Sequence, residues 1–365
     1  MRIIDGDGHI QEDHEGIKRH LPEPFRRMVS ALSPGGLGPF PPMDHMHTPF
    51  RDTPATLANR GRVGPEEWLR FLDDVGIEST VLYPSLALSY GWMIYPDVTI
   101  AVTRAYNDWL HEAYLQRSPR FKGMGLIPMQ EPDAAIAELQ HVVRDLGMCG
   151  AMLPATGLKA HLGAREYWPV FEAASALGCS IAIHGGSHNN LGMDHLDHWP
   201  TIHALGHPFG QLINFAGIVS NGVLERFPNL RIGFLEGGVS WLLMALERLD
   251  SSYSSFSQAN PSGRFIQIEE GTKVSDRIKR HISEGRIFVG CEGDELGLTD
   301  VVRHVGSSAF VYSSDFPHEV TNDTCKEEIE ELLENQDLTT LDKENILFRN
   351  AERFYQLQPV AVALK

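Results

Sequence analysis

The chain has 365 residues, 42% of them hydrophobic, and a formal net charge of −17 at pH 7. This charge excludes nucleic acids and anionic membrane surfaces as expected partners, because both carry the same sign. The first residues lack the basic and apolar pattern of a secretion signal, and no apolar run reaches the roughly 20 residues that span a bilayer. We therefore expect a cytoplasmic protein whose partner is a small-molecule substrate.

Short apolar runs alternate with helical patterns along the chain. The runs lack a clean two-residue alternation, which is typical of parallel strands buried on both faces. Strands are predicted at about 2–6, 79–84, 122–127, 149–154, 179–184, 231–236, 286–291 and 309–314. Helices are predicted at about 66–75, 97–117, 134–146, 166–177, 208–226, 239–254, 324–335 and 342–356. Eight alternating strands favour an α/β fold of the (β/α)8 TIM barrel type over an open doubly wound sheet.

Two insertions and a terminal extension complete the predicted single domain, 1–365. Residues 12–64, after the first strand, are rich in Pro and Gly and are predicted to form a long loop that walls or covers the site. Residues 251–280 are rich in Ser, Gln and Gly and are expected on the opposite side, in a homodimer or higher homo-oligomer contact. The helix at 342–356 is a C-terminal extension.

Candidate metal ligands follow three of the predicted strands. Asp7 and His9 are two residues apart, so an extended backbone directs both side chains the same way. His184 ends a second strand, and Asp315 follows the last one, where capping a helix is the alternative role. Carboxylates and imidazoles that meet at one edge of a sheet can hold a divalent cation.

Glu236 and Glu292 are acidic residues that follow the sixth and seventh strands. A carboxylate after an apolar run is costly unless it meets a cation or a hydrogen-bond donor. For Glu236 the alternatives are a catalytic role and an ion pair with a nearby arginine. For Glu292 they are substrate binding and a structural hydrogen bond.

The segment after the fifth strand contains five histidines, of which we select His188 and His207 as candidate substrate contacts. The sequence Gly206-His207-Pro208 predicts that His207 caps a helix and does not share a helix face with His203. Further candidate substrate contacts are aromatic or basic side chains near other strand ends: Tyr90, Trp92 and His318. Arg51 and Arg62 are candidate carboxylate clamps, with a solvated surface position as the alternative.

Together these segments resemble the amidohydrolase superfamily, in particular the branch that contains aminocarboxymuconate-semialdehyde decarboxylase. The resemblance covers nearly the whole chain. It rests on the motifs Ile4-Asp5-Gly6-Asp7-Gly8-His9-Ile10, Ile181-Ala182-Ile183-His184-Gly185-Gly186, Gly222-Val223-Leu224-Glu225-Arg226-Phe227-Pro228-Asn229-Leu230-Arg231, Ser313-Ser314-Asp315-Phe316-Pro317-His318 and Lys343-Glu344-Asn345-Ile346-Leu347-Phe348-Arg349-Asn350-Ala351.

The resemblance implies a distorted barrel with one divalent metal ion, for which we expect zinc, with manganese as the alternative. By position it assigns metal binding to Asp7, His9, His184 and Asp315. Many members have a histidine in place of Asp7, although some aromatic-acid decarboxylases have an acidic residue there. Many also have a histidine in place of Glu236, and that histidine polarises the substrate or moves its proton.

The expected function is metal-dependent hydrolysis of a small amide, ester or related substrate, with Asp315, Glu236 and His184 as catalytic residues. Hydrolysis is preferred because a carboxylate at Glu236 would repel an acidic substrate. The alternative is non-oxidative decarboxylation of a small aromatic or unsaturated carboxylic acid, which the acidic Asp7 favours. A third reading is an inactive barrel that acts as a binding protein.

Overall fold

The computed structural model describes residues 1–32, 39–43, 63–256 and 259–358. Its eight strands pair in parallel and in chain order. They are β1 Ile4–His9, β2 Ser79–Tyr83, β3 Phe121–Leu126, β4 Gly150–Pro154, β5 Ser180–His184, β6 Arg231–Leu235, β7 Ile287–Cys291 and β8 Phe310–Tyr312. The backbone N–H of Asp315 donates to Asp7 O at 3.0 Å, which joins β8 to β1. The sheet therefore forms a nearly closed (β/α)8 barrel, and the predicted fold class is confirmed.

Helices lie between the strands and cover the outside of the barrel. The helices of the described residues are α1 His14–His20, α2 Phe25–Leu32, α3 Pro65–Val75, α4 Pro96–Leu110, α5 Pro132–Arg144, α6 Trp168–Leu177, α7 Trp199–Ser220, α8 Val223–Arg226, α9 Ser240–Phe256, α10 Val274–Ser283, α11 Leu298–Val305, α12 Asn322–Glu334, α13 Thr340–Glu344 and α14 Asn350–Tyr355. None of them is both long enough and apolar enough to cross a bilayer.

Local sequence explains where several of these elements begin and end. Helix α3 begins at Pro65, whose fixed φ suits the first helical position, and ends before Gly76, which adopts a left-handed φ of 87°. The strands β2, β4, β5 and β7 are buried at every residue. Burial on both faces explains why their sequences are nearly continuous apolar runs.

The described part of the first insertion includes helices that we did not predict. It contains the short helices α1 and α2, and α1 packs against α4. Burial of Ile17 and Leu21 in the main core accounts for this packing, since a helix is stabilised mostly through its apolar face. Residues 33–38 and 44–62 of the insertion lie outside the described residues. In the second insertion, α9 continues to Phe256 and α10 begins at Val274.

The predicted start of the helix before β6 was wrong. Helix α7 begins at Trp199, nine residues earlier than predicted, and Pro208 lies inside it. Pro200 is the proline in the first turn of the helix. The helix continues through Pro208 because burial of its apolar face stabilises it. His207 is therefore a helix residue and not a cap. It shares a face with His203, one turn away, and their ring centroids are 4.9 Å apart.

The C-terminal extension is built from α13, a π-helical turn at Asn345–Arg349, and α14. It packs against β1 and β8. The hydroxyl of Tyr355 donates to Gly6 O at 2.6 Å and lies 2.7 Å from the hydroxyl of Tyr83. The last described helix thus supports the strand that carries Asp7 and His9.

Candidate metal centre

The carboxyl ends of β1 and β5 bring three candidate ligands together. Asp7, His9 and His184 are buried, and one ligand atom from each lies within 4.8 Å of the others. Strand register contributes to this meeting, because His184 is aligned with Pro154 on β4 and with Leu235 on β6. Asp7 and His9, which the sequence predicts to point the same way, thus meet His184, a histidine 175 residues farther along the chain than His9.

The hydrogen bonds of His9 indicate that its outer nitrogen is suited to a cation. Its Nδ1 lies 2.6 Å from Pro84 O. A carbonyl only accepts, so Nδ1 carries the proton and Nε2 offers a lone pair. This Nε2 lies 3.2 Å from Asp315 Oδ1 and 3.6 Å from Asp7 Oδ1, and it is buried with no hydrogen-bond partner. Burial holds the pKa of His9 well below its usual range, so the ring is neutral. Acceptors that face one another at this distance fit a bound cation.

His184 has the same arrangement on the other side of Asp7. Its Nδ1 donates to Gly185 O at 2.8 Å, and its Nε2 lies 3.1 Å from Asp7 Oδ1. Burial alone would lower the pKa of His184, but Asp7 and Glu236 hold it well above its usual range. A proton on His184 therefore balances Asp7 in the absence of a cation, and a metal ion would displace it. The donor set of imidazoles and carboxylates suits zinc, iron or manganese.

Asp315 lies at the edge of this cluster, beside His318. Its Oδ1 is 2.8 Å from His318 Nδ1, and the rings of His318 and His9 stack at 4.0 Å. His9, Asp315 and His318 form a second group of potential ligands. Although burial opposes it, the contact with Asp315 raises the pKa of His318 to about 9. The His318 imidazolium is therefore a positive charge at the mouth of the barrel. Its Nε2 lies 2.9 Å from the hydroxyl of Ser85.

Glu236 follows β6 and reaches the opposite face of His184. Its Oε2 lies 3.1 Å from His184 Nδ1 and 3.6 Å from His207 Nδ1. Burial alone would raise the pKa of Glu236, but the protonated His184 beside its Oε2 holds it well below its usual range. Burial lowers the pKa of His207 to about 3, so this imidazole is neutral. The predicted alternative of an ion pair with arginine is replaced by contacts with two histidines.

Two of the candidate residues have an unusual backbone. Glu236 has φ of 55° and Asp315 has φ of 53°, in the left-handed region that non-glycine residues rarely adopt. Each such residue costs of order 1 kcal/mol or more, and the cost persists where the surrounding structure fixes the conformation. Both lie directly after a barrel strand or within three residues of one, so the turn directs their side chains into the mouth.

Asp5 is a supporting residue that the sequence reasoning missed. Its buried carboxylate accepts hydrogen bonds from the hydroxyl of Thr80 at 2.6 Å, from Ser314 N at 2.9 Å and from Asp7 N at 3.2 Å. Burial raises its pKa to about 6. Asp5 thereby connects β1, β2 and the segment before Asp315. Its position two residues before Asp7, in the same apolar run, was the available signal.

The other predicted contacts lie in different surroundings. The hydroxyl of Tyr90 is buried and donates to Met152 O at 3.1 Å, whereas Trp92 Nε1 is buried with no partner among the described atoms. The Glu292 backbone N–H donates to Glu295 Oε1 at 2.9 Å. Partial desolvation and then neighbouring carboxylates, Glu295 first, raise the pKa of Glu292 to about 8. Arg51 and Arg62 lie outside the described residues.

His188 and His207, the two selected histidines, are in direct contact. Their Nε2 atoms are 3.2 Å apart, and their rings meet edge to face. Through His207, His188 is connected to Glu236, and Trp199 lies beside His188 with ring centroids 5.8 Å apart. The structure therefore places both histidines next to the metal cluster, on the side of β5 and β6.

A family model described as Amidohydrolase matches residues 33–357. Among curated proteins, the chain is 25% identical over 288 residues to 2-amino-3-carboxymuconate-6-semialdehyde decarboxylase of Dictyostelium discoideum, which covers 79% of this chain and 74% of the relative. It is 23% identical over 305 residues to gamma-resorcylate decarboxylase of Polaromonas sp., covering 79% and 86%. A solved structure of 5-carboxyvanillate decarboxylase from Novosphingobium aromaticivorans, with bound manganese, superposes with a TM-score of 0.74 at 18% identity, covering 98% and 97%.

These comparisons contradict the expected hydrolase. Both curated relatives are decarboxylases, which was the alternative reading. The argument from Glu236 was wrong because it treated one carboxylate as the net charge of the site. The positively charged His318 and a cluster able to hold a cation lie at the same mouth of the barrel. The expectation of zinc also has no support from the neighbouring structure, which holds manganese.

Proposed function

The chain belongs to the amidohydrolase family, and from this premise we propose that it is a metal-dependent non-oxidative decarboxylase of a small aromatic or unsaturated carboxylic acid. The observation that carries this proposal is that both curated relatives, matched over 79% of this chain, are decarboxylases. The structure supports the proposal with a cluster suited to a metal ion, made of Asp7, His9 and His184 with Asp315 at its edge.

Asp7, His9, His184 and Asp315 would hold the metal ion, and manganese is the ion that we propose, because the neighbouring decarboxylase structure contains it. When bound, a divalent ion stabilises negative charge on the substrate's oxygens. The lone pair on His9 Nε2, which is buried without a hydrogen-bond partner, most requires such an ion.

The mouth of the barrel supplies the groups that bind the acid and move a proton. His318, positively charged at neutral pH, attracts an anionic substrate toward Asp315. Asp315, 2.8 Å from His318 Nδ1, is placed to take the proton that His318 carries and pass it to the carbon that bears the carboxylate. The bond from that carbon to the carboxylate breaks, its electron pair forms the new C–H bond, and CO2 leaves. The reaction consumes one proton for each turnover.

An assay of CO2 release tests the proposal. The protein is loaded with Mn2+ and incubated with a panel of hydroxylated and aminated aromatic or unsaturated acids, while a parallel panel of amides and esters tests hydrolysis. We expect CO2 and the decarboxylated product from at least one acid and no cleavage of the second panel. Hydrolysis without CO2 would overturn the proposal, and metal binding with no turnover of either panel would favour the inactive barrel.

That the protein forms a homodimer or a larger homo-oligomer stays a prediction. Several large apolar side chains are exposed, among them Ile94, Leu296 and Phe256. Their exposure is compatible with a contact between copies of the chain. Light scattering on the purified protein measures its mass in solution.

A further inference from the structure

Glu236 presents its two carboxylate oxygens to different surroundings. Oε2 is buried between the Nδ1 atoms of His184 and His207, at 3.1 and 3.6 Å. Oε1 makes no hydrogen bond with any residue that the structure describes, and it does not share the full burial of Oε2. The side chain is 18% exposed. Since Oε2 is buried, Oε1 is the carboxylate oxygen left available to a ligand.

His207 lies beside the buried oxygen, on the side away from the metal cluster. Its Nε2 lies 3.2 Å from His188 Nε2, and its Nδ1 lies toward Glu236. In a neutral imidazole one nitrogen donates and the other accepts. A proton on Nδ1 suits both neighbours, because the carboxylate only accepts and His188 can donate to Nε2. Oε2 of Glu236 is thus flanked by one residue from β5 and one from α7, and the left-handed backbone sets where the side chain begins.

A carboxylate whose Oε2 lies between two imidazole nitrogens, at 3.1 and 3.6 Å, is in surroundings suited to an acceptor, and such a group accepts hydrogen bonds and does not donate them. A group of the substrate that lies against Oε1 must therefore be a donor. If a methyl ether replaces a hydroxyl at that point, Oε1 of Glu236 loses its hydrogen-bond donor inside the site. Sites that bind a donor in this way discriminate strongly against the analogue that lacks it. A histidine at this position would tolerate either kind of group, because its ring offers both a donor and an acceptor.

We propose that Glu236, positioned by His207, selects the substrate by accepting a hydrogen bond through Oε1 from a hydroxyl or amino group on the carbon skeleton of the acid. This inference rests on the proposed decarboxylase function and names its substrate class: acids that carry a donor in addition to the atoms bound at the metal. Acids with an ether, a halogen or a second carboxylate at that position are rejected.

Matched pairs of substrates test the inference. The probes are the dihydroxybenzoates with a hydroxyl beside the carboxylate, each compared with the derivative in which the second hydroxyl is methylated. With the Mn-loaded wild-type protein we expect kcat/KM for one dihydroxy acid to exceed that of its methyl ether by at least about tenfold. In Glu236→Gln the amide can donate to the ether oxygen, so the ratio should fall to within about threefold.

The second readout is binding of the decarboxylated products. Resorcinol, catechol or hydroquinone, according to the active acid, should raise the melting temperature of Mn-loaded wild-type protein more than its monomethyl ether does, and Glu236→Gln should abolish the difference. Glu172→Gln, the same change on the exposed face of α6, is the matched control and should behave as wild type.

The outcomes distinguish a failure of the role of Glu236 from a failure of the proposed decarboxylase function. If the wild-type protein decarboxylates none of the acids, the proposed function fails. If it decarboxylates a dihydroxy acid and Glu236→Gln keeps the same preference for hydroxyl over methoxyl, the decarboxylase stands and the role of Glu236 is overturned. An equal loss of kcat/KM for both members of a pair would show a structural effect and also overturn the selection.

Discussion

The ends of β6 and β8 carry two pairs of side chains that are built alike. The β6 pair is Glu236 with His207, and the β8 pair is Asp315 with His318. Each carboxylate has a left-handed backbone, is about a fifth exposed, and lies between its partner histidine and a buried histidine of the metal cluster, His184 or His9. In each, one oxygen is buried between the two imidazoles.

The two pairs differ in the charge of the outer histidine. His318 lies 2.8 Å from Asp315, and this contact, against the effect of burial, raises its pKa to about 9. His207 lies 3.6 Å from Glu236, and burial lowers its pKa to about 3. The β8 pair thus holds a proton at neutral pH, whereas the β6 pair presents an acceptor. The same arrangement of residues therefore suits proton delivery on one side and recognition of a donor on the other.

Asp315→Asn should have the largest effect, because it removes the carboxylate that passes the proton of His318 to the substrate. Positioned acids contribute about 10²–10⁴-fold to rate, so we expect a loss of at least about 100-fold in kcat for CO2 release. Metal content, measured by mass spectrometry of the purified variant, separates a lost donor from a lost ligand. The exposed Asp300→Asn is the control. Full activity in metal-loaded Asp315→Asn would remove Asp315 from the chemistry.

Two substitutions at His207 should sharpen the role of the β6 pair. In His207→Asn a side-chain amide keeps a polar N–H group beside Oε2 of Glu236, in place of Nδ1 at 3.6 Å, whereas His207→Leu leaves no polar group there. We expect the preference for a hydroxyl over a methoxyl substrate to survive in the first variant and to fall about tenfold in the second. The same changes at the exposed His195 serve as controls. Equal preferences in both His207 variants would refute a positioning role.

Removal of the metal should destabilise both pairs at once, because Asp7, His9 and His184 then face one another without a cation. We expect a chelator to lower the melting temperature by about 3–8 °C and added Mn2+ to restore it, as a ligand that binds only the folded state does. A His184→Ala variant should show no response to Mn2+. Unchanged melting of the wild-type protein after verified loss of metal would contradict a metal site in this cluster.

Glu328→Gln should have the smallest effect and tests the negative surroundings of the β8 pair. Burial, followed by Asp294 and Asp315, raises the pKa of Glu328 from 4.5 to about 7. The folded state therefore favours the protonated form. This contribution to stability is complete below about pH 4.5 and is lost as the pH rises through about 7.

The variant cannot ionise, so its melting temperature relative to wild type should increase between pH 5 and pH 8, by about 1–2 °C. Thermal melts at the two pH values measure the change. Glu330→Gln, an exposed glutamate on the same helix, should show no such difference. A constant offset at both pH values would mean that Glu328 is not perturbed.

The parts of the structure that local sequence determines were predictable. Apolar runs ending in Asp7, His9 and His184 predicted both the strands and the edge at which these residues meet, because parallel strands place their carboxyl ends together. Pro65 and Gly76 predicted the ends of α3 for the same local reason. The terminal helix was predicted as well, although its turn at Asn345–Arg349 was not.

The contacts between distant segments were not predictable from local pattern. Nothing near Asp5 indicates that Thr80 and Ser314 will meet its carboxylate, since these residues are 75 and 309 positions away. The pairing of His207 with Glu236 was missed because Pro208 was taken as the start of a helix that in fact begins at Trp199. The charge of the site likewise depends on burial and on contacts that only the assembled barrel creates.

The most direct test of the central claim is the mass of the product formed in D2O by the Mn-loaded protein. A decarboxylase that protonates the carbon losing its carboxylate should give a product with one deuterium at that carbon, after correction for exchange measured on a product standard, together with an equivalent of CO2. A product that retains the carboxylate and has instead gained the elements of water would contradict the account.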